Sequence, residues 1–528
     1  MSETAKLRYP GIHAAVNPDK AAVIMGSSGR TMTYGELDAE AWRLARFFGE
    51  QGLKAGDHVA YCVDNRLECV ALQWGAHYAG LYYTYISSRL LPQEAAYIVA
   101  DCEARVVVLS AATMAPLQLI QTLPNPPAVY SVDAGTALPA LAAAIVPFDA
   151  TPIPGAVEGS DMLYSSGTTG RPKGIKPVLS GKPLGSTSVV ADLMQRGFGV
   201  TAESVYLSTA PYYHAAPMKW CQGTTALGGT VVMMEKFDAE TALQLIERHQ
   251  VTHSQWVPTM FHRLLSLPAE ARARHDLSSQ KVAIHAAAPC PVPIKQAMID
   301  WWGPIVAEYY SCTEGMGMTF TDTAAWQAHP GTVGRPLLGR LHIVGEEGQE
   351  LPAGQEGLVY FSDGPVFYYH NDPEKTREAY DARGWATVGD IGKVDAEGFL
   401  YLTDRKSNMI ISGGVNVYPQ ETENVLITHP RVFDVAVIGT PHEDFGEEVR
   451  AIVQLKPGEA GSPALAEELI AWCRQQLSPI KCPRVVDFRD ALPREPNGKL
   501  LKRLLRDEYR AAHAASAAVT AQASVPTA

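Results

Sequence analysis

No CxxC pair, no run of 18 apolar residues, no Gly-Lys-Ser/Thr phosphate loop and no surplus of basic residues occur in this sequence. Each absence excludes a class of protein. The eight cysteines, at 62, 69, 102, 221, 290, 312, 473 and 482, are scattered, and a chain of 528 residues buries enough apolar surface to need no disulfide staples. They read as reduced thiols, which excludes a zinc ribbon or disulfide scaffold and predicts a cytoplasmic protein. No integral membrane segment is expected without a long apolar run. The opening "MSETAKLRYPG" lacks a basic stretch followed by an apolar one, so no secretion signal is expected either. Lys and Arg number 44 against 56 Asp and Glu, a formal charge of −12. That balance argues against nucleic acid as the partner, because neutralising a phosphate backbone needs a basic face. Oligomeric state cannot be read from the residues.

What is present is alternation. From about 20 to 310, short β-rich runs such as "HVAYCVD" (58–64), "ARVVVLS" (104–110) and "KVAIHAAA" (281–288) alternate with amphipathic stretches. "GTVVMME" (229–235) is followed by "AETALQLIERH", which puts Leu243, Leu245 and Ile246 on one helical side. Such alternation predicts parallel sheets covered by helices, an α/β fold. From 341 to 403 the pattern changes to hairpins. After 404–414 comes a compact α+β unit, with a helix from about Pro419 and another at 463–477. The small-residue stretch 511–528 is expected to be a disordered tail.

The stretch richest in chemistry is "YSSGTTGRPKG" (164–174). Gly167 and Gly170 permit tight turns that bring backbone N–H groups close to an oxyanion. Ser165, Ser166, Thr168 and Thr169 add hydroxyls, and Lys173 a mobile charge. It is not a Walker A loop: no Ser or Thr follows a Gly-Lys pair to hold magnesium, and Pro172 removes a backbone donor.

This loop resembles the signature S-[SG]-G-T-T-G-x-P-K-G of the AMP-forming, adenylate-producing enzymes: acyl- and aryl-CoA synthetases, nonribosomal adenylation domains and luciferases. Further motifs follow in that family's order, so the resemblance spans about 20 to 508. "YYSCTEG" (309–315) resembles Y-G-x-T-E, "VGD" (388–390) resembles T-G-D, "DRKSNMIISGGVNVYPQETE" (404–423) resembles the hinge and its following loop, and "PREPNGKLLKR" (493–503) resembles P-x-x-x-x-G-K. The resemblance implies a large N-terminal region, 1–403, of parallel-sheet α/β subdomains plus a small β-barrel-like part. A hinge at 404–408 and a small mobile α+β C-terminal domain at 409–510 would follow. Three departures stand out: Ser311 where glycine is common, "AAAP" (286–289) where a glycine-rich form is common, and Ser407 where the hinge usually has Asp or Lys.

The implied reaction uses ATP, Mg2+ and CoA. A carboxylate attacks the α-phosphorus and pyrophosphate leaves; a thiol then attacks the acyl-adenylate and AMP leaves. Bringing two anions together requires fixed positive charge and oriented dipoles. By resemblance, residues 165–170 and Lys173 hold the β- and γ-phosphates. Glu314 holds the metal, a hard cation that prefers oxygen, and Thr313 donates to the α-phosphate. Lys499 reaches both carboxylate and α-phosphate. Asp390 and Arg405 hold the ribose. Tyr310 stacks on adenine, with Ala288 in the loop on its other face. His214 sits in an aromatic–His loop beside the acyl pocket, and Gly413 and Gly414 line the pantetheine tunnel. Lys502 and Arg503 are expected to stay solvated, Cys312 to pack rather than react, and Met218, Trp256, Met260, Met316 and Met318 to border an apolar acid pocket.

The function this implies is an AMP-forming acyl-CoA synthetase. Its acid would be hydrophobic: a fatty acid first, an arylalkenoic or steroid side-chain acid next. Acyl transfer to a carrier protein is the near alternative, and a non-catalytic nucleotide-binding scaffold the distant one. A P-loop NTPase is disfavoured by the missing Gly-Lys-Ser/Thr.

Overall fold

The computed structural model describes residues 7–165, 172–186, 189–442, 444–495 and 500–523, with side chains of the last helix through 513. Two large sheets form the scaffold. In the first, five parallel strands run in the order Ala128–Ser131, Val106–Leu109, His58–Cys62, Tyr82–Tyr85, Ser160–Asp161. The second has nine strands. Its middle is parallel, from Val306–Ser311 through Val282–His285, His253–Trp256, Val205–Ser208 and Thr230–Met233 to Ala21–Met25, and its edges are antiparallel. Val106–Leu109 is buried at every position, the pattern of a strand covered on both faces.

The covering helices obey local rules. Tyr34–Glu50 starts with a capping box: the Glu36 N–H donates to Thr33 Oγ1 at 3.2 Å and the Thr33 N–H donates to Glu36 Oε2 at 2.8 Å. It packs on Leu67–Tyr78, where Gly75 allows close approach: a Cβ there would stand 2.5 Å from Leu44 Cβ. Leu243, Leu245 and Ile246 are buried on the helix Ala239–His249, as their spacing predicts. One apolar cluster reaches from Ala22 to Ala307 and joins the two sheets into a single body.

The hairpin region is a four-stranded antiparallel meander, Arg340–Val344, Gly357–Ser362, Asp390–Val394 and Leu400–Arg405, with its own small core. A five-stranded sheet follows, built on the long pair Val432–His442 and Gly446–Leu455. Helices Pro419–Leu426 and Pro463–Arg474 cover it, and its main core holds only residues between 410 and 488.

Residues 511–523, expected to be disordered, continue the helix Lys502–Ala523 instead. The stretch is alanine-rich, and alanine has the highest helix propensity. Among the described residues no helix is long and apolar enough to cross a membrane.

Candidate functional site

Three motifs separated in sequence meet at Asp390. The strand Val306–Ser311 presents Tyr310, whose hydroxyl donates to Asp390 Oδ2 at 2.6 Å. From the adjacent strand Leu400–Arg405, Arg405 Nε donates to Asp390 Oδ1 at 2.9 Å, in register because Asp390 and Arg405 are cross-strand partners. Asp390 is buried, so both carboxylate oxygens are satisfied by protein. The carboxylate holds the Arg405 guanidinium more firmly cationic. Burial, followed by Asp390, raises the Tyr310 hydroxyl well above its ordinary range, so it remains a donor.

A second group lies at the turn after Ser311. Its turn is closed by the Gly315 N–H donating to the Cys312 carbonyl at 3.1 Å, and Thr313 and Glu314 are half-buried within it. Glu314 Oε1 accepts from the Tyr369 hydroxyl at 2.9 Å, and Lys173 Nζ stands 5.1 Å from the centre of the same ring. Burial and then Lys375 lower the Lys173 pKa. Lys173 and Ser165 face each other across the hairpin Leu163–Ser165/Lys173–Ile175, which fixes both stems of the phosphate-loop candidate. Ser166, Gly167, Thr168, Thr169 and Gly170 lie outside the described residues, as does Lys499. The segment around Tyr369 straps this hairpin: the His370 N–H donates to the Gly174 carbonyl at 2.8 Å and the Lys176 N–H to the Tyr368 carbonyl at 3.2 Å. Tyr369 was missed in the sequence. Its one signal, three tyrosine or phenylalanine residues before "HNDPEKT", reads as ordinary core.

The two departures nearest Tyr310, at Ser311 and in 286–289, have structural consequences. Ser311 Oγ donates to the Gly317 carbonyl at 2.8 Å and so braces the turn that carries Glu314. Ala287 adopts φ +75°, the left-handed region that favours glycine, while Ala288 beside it is half-buried. Beneath this loop Lys295 Nζ donates to Glu308 Oε2 at 2.6 Å in full burial, with His285 Nε2 3.5 Å from the same oxygen. Glu308 and Tyr310 are two apart on one strand, so the buried pair sets the face on which Tyr310 sits.

His214 caps the helix Ala215–Ala226, its ring 4.5 Å from that of Tyr213. Asn65 pins this loop: its Oδ1 accepts from the Tyr212 N–H at 2.7 Å, and its Nδ2 donates to the Met234 carbonyl at 2.8 Å. The segment leading to Lys499 comes to the same place. Burial raises the Tyr213 hydroxyl pKa, and nearby Glu495 adds to the rise. Arg494 grips Asp434 with two bonds of 2.6 Å, and the Leu501 N–H donates to the Pro493 carbonyl at 2.8 Å, fixing both ends of the loop that contains Lys499.

Gly413 and Gly414 form the two-residue turn of the hairpin Ile410–Ser412/Val415–Val417, with φ +58° and +80°, the geometry of a tight primed turn. The turn is exposed, and the Gly413 N–H donates to the Phe445 carbonyl of the same domain; its contacts lie apart from the Asp390 group. Lys502 departs from expectation: it is buried and pairs with Glu423 at 2.8 Å. Glu423 is itself buried and accepts from the Val437 N–H, so the pair fastens the start of the last helix to the sheet. Arg503 is exposed. Burial pushes the Cys312 thiol up, as suits packing rather than attack. Met218, Trp256, Met260 and Met316 are buried within the apolar cores, and Met318 is half-buried.

Comparison with known proteins places these motifs in a family. Residues 12–367 match the AMP-binding enzyme family and 421–499 the AMP-binding enzyme C-terminal domain. The long-chain-fatty-acid–CoA ligase FadD13 of Mycobacterium tuberculosis is 31% identical over 94% of this chain and 97% of that protein. The 3-[(3aS,4S,7aS)-7a-methyl-1,5-dioxo-octahydro-1H-inden-4-yl]propanoyl:CoA ligase of Rhodococcus jostii is 32% identical over 91% and 94%. The crystal structure of ATP-bound MatB from Rhodopseudomonas palustris superposes with a TM-score of 0.81 at 29% identity, covering 95% of this chain and 99% of that one. The chain belongs to the AMP-binding enzyme family, with the large domain and the C-terminal domain both represented.

Proposed function

We propose that this protein activates a hydrophobic carboxylic acid, a fatty acid in the first place, to its acyl-adenylate and then passes the acyl group to CoA. The chain is an ATP-dependent, AMP-forming acid–thiol ligase. The observation that carries this reading is the convergence on Asp390 of Tyr310 and Arg405, beside a turn where Glu314 and Lys173 share Tyr369. Relatives that act on a long-chain fatty acid and on a polycyclic propanoic acid support an apolar acid; arylalkenoic and steroid side-chain acids come next.

In the first half-reaction a carboxylate oxygen bonds to the α-phosphorus while the bond to the bridging oxygen breaks and pyrophosphate leaves. Lys173, Ser165 and the loop 166–170 neutralise the departing phosphates, Thr313 donates to the α-phosphate, and Lys499 spans it and the acid. Asp390 and Arg405 hold the ribose hydroxyls. Tyr310 and Ala288 border adenine, and His214 borders the acid. Magnesium takes one or two carboxylates plus phosphate oxygens. Among the described residues no group of three His, Cys, Asp or Glu forms a cage, so the single carboxylate of Glu314 fits that mode. Bound there, the ion would offset phosphate charge. In the second half-reaction the CoA sulfur bonds to the acyl carbon and AMP leaves, with the 413–414 turn lining the pantetheine path. The domains divide at 1–403, 404–408 and 409–510, and the protein works in the cytoplasm.

The test is product-resolved turnover with ATP, CoA and a panel of acids. AMP and pyrophosphate in equal amounts with the thioester are expected; ADP as the stoichiometric product would overturn the reading.

A further inference from the structure

A pocket of about 230 Å3 opens between the hinge and the helix Lys502–Ala523, and its lining includes no member of the Asp390 and Glu314 groups. Ser407 and Glu447 line one side, and Arg503, Arg506, Asp507 and Arg510 line the other. Positions 503, 506 and 510 are three and four residues apart, so one helical face presents all three guanidinium groups. Two lining carboxylates against three guanidinium groups leave one positive charge in excess. Glu447 accepts from the Ile411 N–H at 3.1 Å and lies 3.6 Å from Arg510, and Asp507 is exposed. Among the described residues no carboxylate is within 4 Å of Arg503 or Arg506. The half-buried Arg506 has a neutral partner, the Ser407 carbonyl, to which Nη1 donates at 2.7 Å. Burial and then Arg510 depress its pKa, against the opposing pull of Asp507, Glu447 and Asp404.

We propose that this pocket binds a phosphate-type anion. A guanidinium presents a planar fork of N–H donors that matches the oxygens of a phosphate two at a time. A single carboxylate would occupy one fork, whereas three forks around one small cavity call for several oxygens, as a phosphate group supplies. Free pyrophosphate and a phosphate carried on a nucleotide share that chemistry. The site does not depend on the reaction proposed above.

Calorimetric titration of the full chain, in buffer free of phosphate and sulfate, tests the proposal with two probes: inorganic pyrophosphate and adenosine 3′,5′-bisphosphate. Arg503→Gln/Arg510→Gln alters two exposed side chains and should keep the fold, while Lys173→Ala disables the phosphate side of the other site. The expected result is binding of at least one probe that weakens about tenfold or more in the arginine variant, the scale of losing charge-assisted hydrogen bonds, and that persists in Lys173→Ala. Preference for pyrophosphate would identify a free anion, and preference for the bisphosphate a nucleotide-borne one. Titrations of both probes that are the same in wild type and the arginine variant, loss of all binding in Lys173→Ala, or no binding by wild type would each overturn it.

Discussion

In the large domain and the start of the hinge, the side chains proposed for the site hold one another: Asp390 takes both Tyr310 and Arg405, and Glu314 takes Tyr369. In the C-terminal domain the bonds near the proposed chemistry stay inside the domain. Arg494 grips Asp434, Lys502 grips Glu423, and Gly413 bonds to Phe445. Across the boundary the rings of His262 and Phe433 stand 5.3 Å apart, and Glu495 approaches Tyr213. A site built on a rigid body can prearrange its dipoles, which is where electrostatic catalysis gains most. On the proposed mechanism the C-terminal domain would present first Lys499 and later the 413–414 turn, which calls for loops fixed internally and weak docking. The contrast we propose is that of a fixed half-site and a detachable one.

The largest effect should come from the detachable half. Lys499→Ala removes the charge that offsets repulsion between two anions, and should cut acyl-adenylate formation by about a hundredfold or more. CoA attack on supplied acyl-adenylate should survive. Equal losses in both half-reactions would break the comparison, because Lys499 would then serve both poses. Asp390→Asn comes next. It leaves Arg405 without its ion pair and weakens the Tyr310 acceptor, so KM for ATP should rise about tenfold or more, the scale of losing hydrogen bonds to a charged group. An unchanged KM would detach Asp390 from the nucleotide.

Smaller effects sharpen the picture. Arg494→Gln loosens the Lys499 loop without touching substrate; adenylation should fall about tenfold, as expected for one lost bidentate charge-assisted contact, while thioester formation from supplied adenylate is spared. Pyrophosphate release and thioester formation measured separately decide it. Tyr369→Phe deprives Glu314 of one neutral donor. A net hydrogen bond is worth about 1 kcal/mol, so the magnesium concentration for half-maximal rate should rise about fivefold. If kcat fell with no change in that requirement, Tyr369 would position something other than Glu314.

How far each half was legible follows from the same contrast. The α/β scaffold shows in the sequence because buried parallel strands write continuous apolar runs, as in Val106–Leu109. Asp390, Arg405 and Tyr310 carry motif spacing, yet nothing local says that they meet; only the register of Asp390 against Arg405 brings them together. Tyr369, Asn65 and the Lys502–Glu423 pair were illegible for one reason: each acts through a partner at least 55 residues away. Burial likewise made Lys502 structural where its exposed neighbour Arg503 looks identical in sequence.

The smallest predicted effect tests how finely the fixed half is tuned. Ala287 stands at φ +75° in the loop proposed to border adenine. A left-handed conformation costs an L-residue roughly 1–2 kcal/mol that glycine does not incur. Glycine also widens the unfolded ensemble, which costs about 0.4–1 kcal/mol. The two terms oppose each other, and the first is the larger. Ala287→Gly should therefore stabilise the protein by up to about 1 kcal/mol. At about 2.1 cal/mol/K of unfolding entropy per residue, that is a rise in Tm of no more than about 1 °C for a chain of this length. KM for ATP should change little, since Ala287 is exposed and the half-buried neighbour Ala288 is left in place. Calorimetry of both proteins, with ATP kinetics in parallel, separates the outcomes. A lower Tm would mean that the surrounding loop favours the alanine. A raised Tm with a several-fold poorer KM would mean that the strained alanine fixes the adenine wall, and that the large domain trades stability for a preformed site.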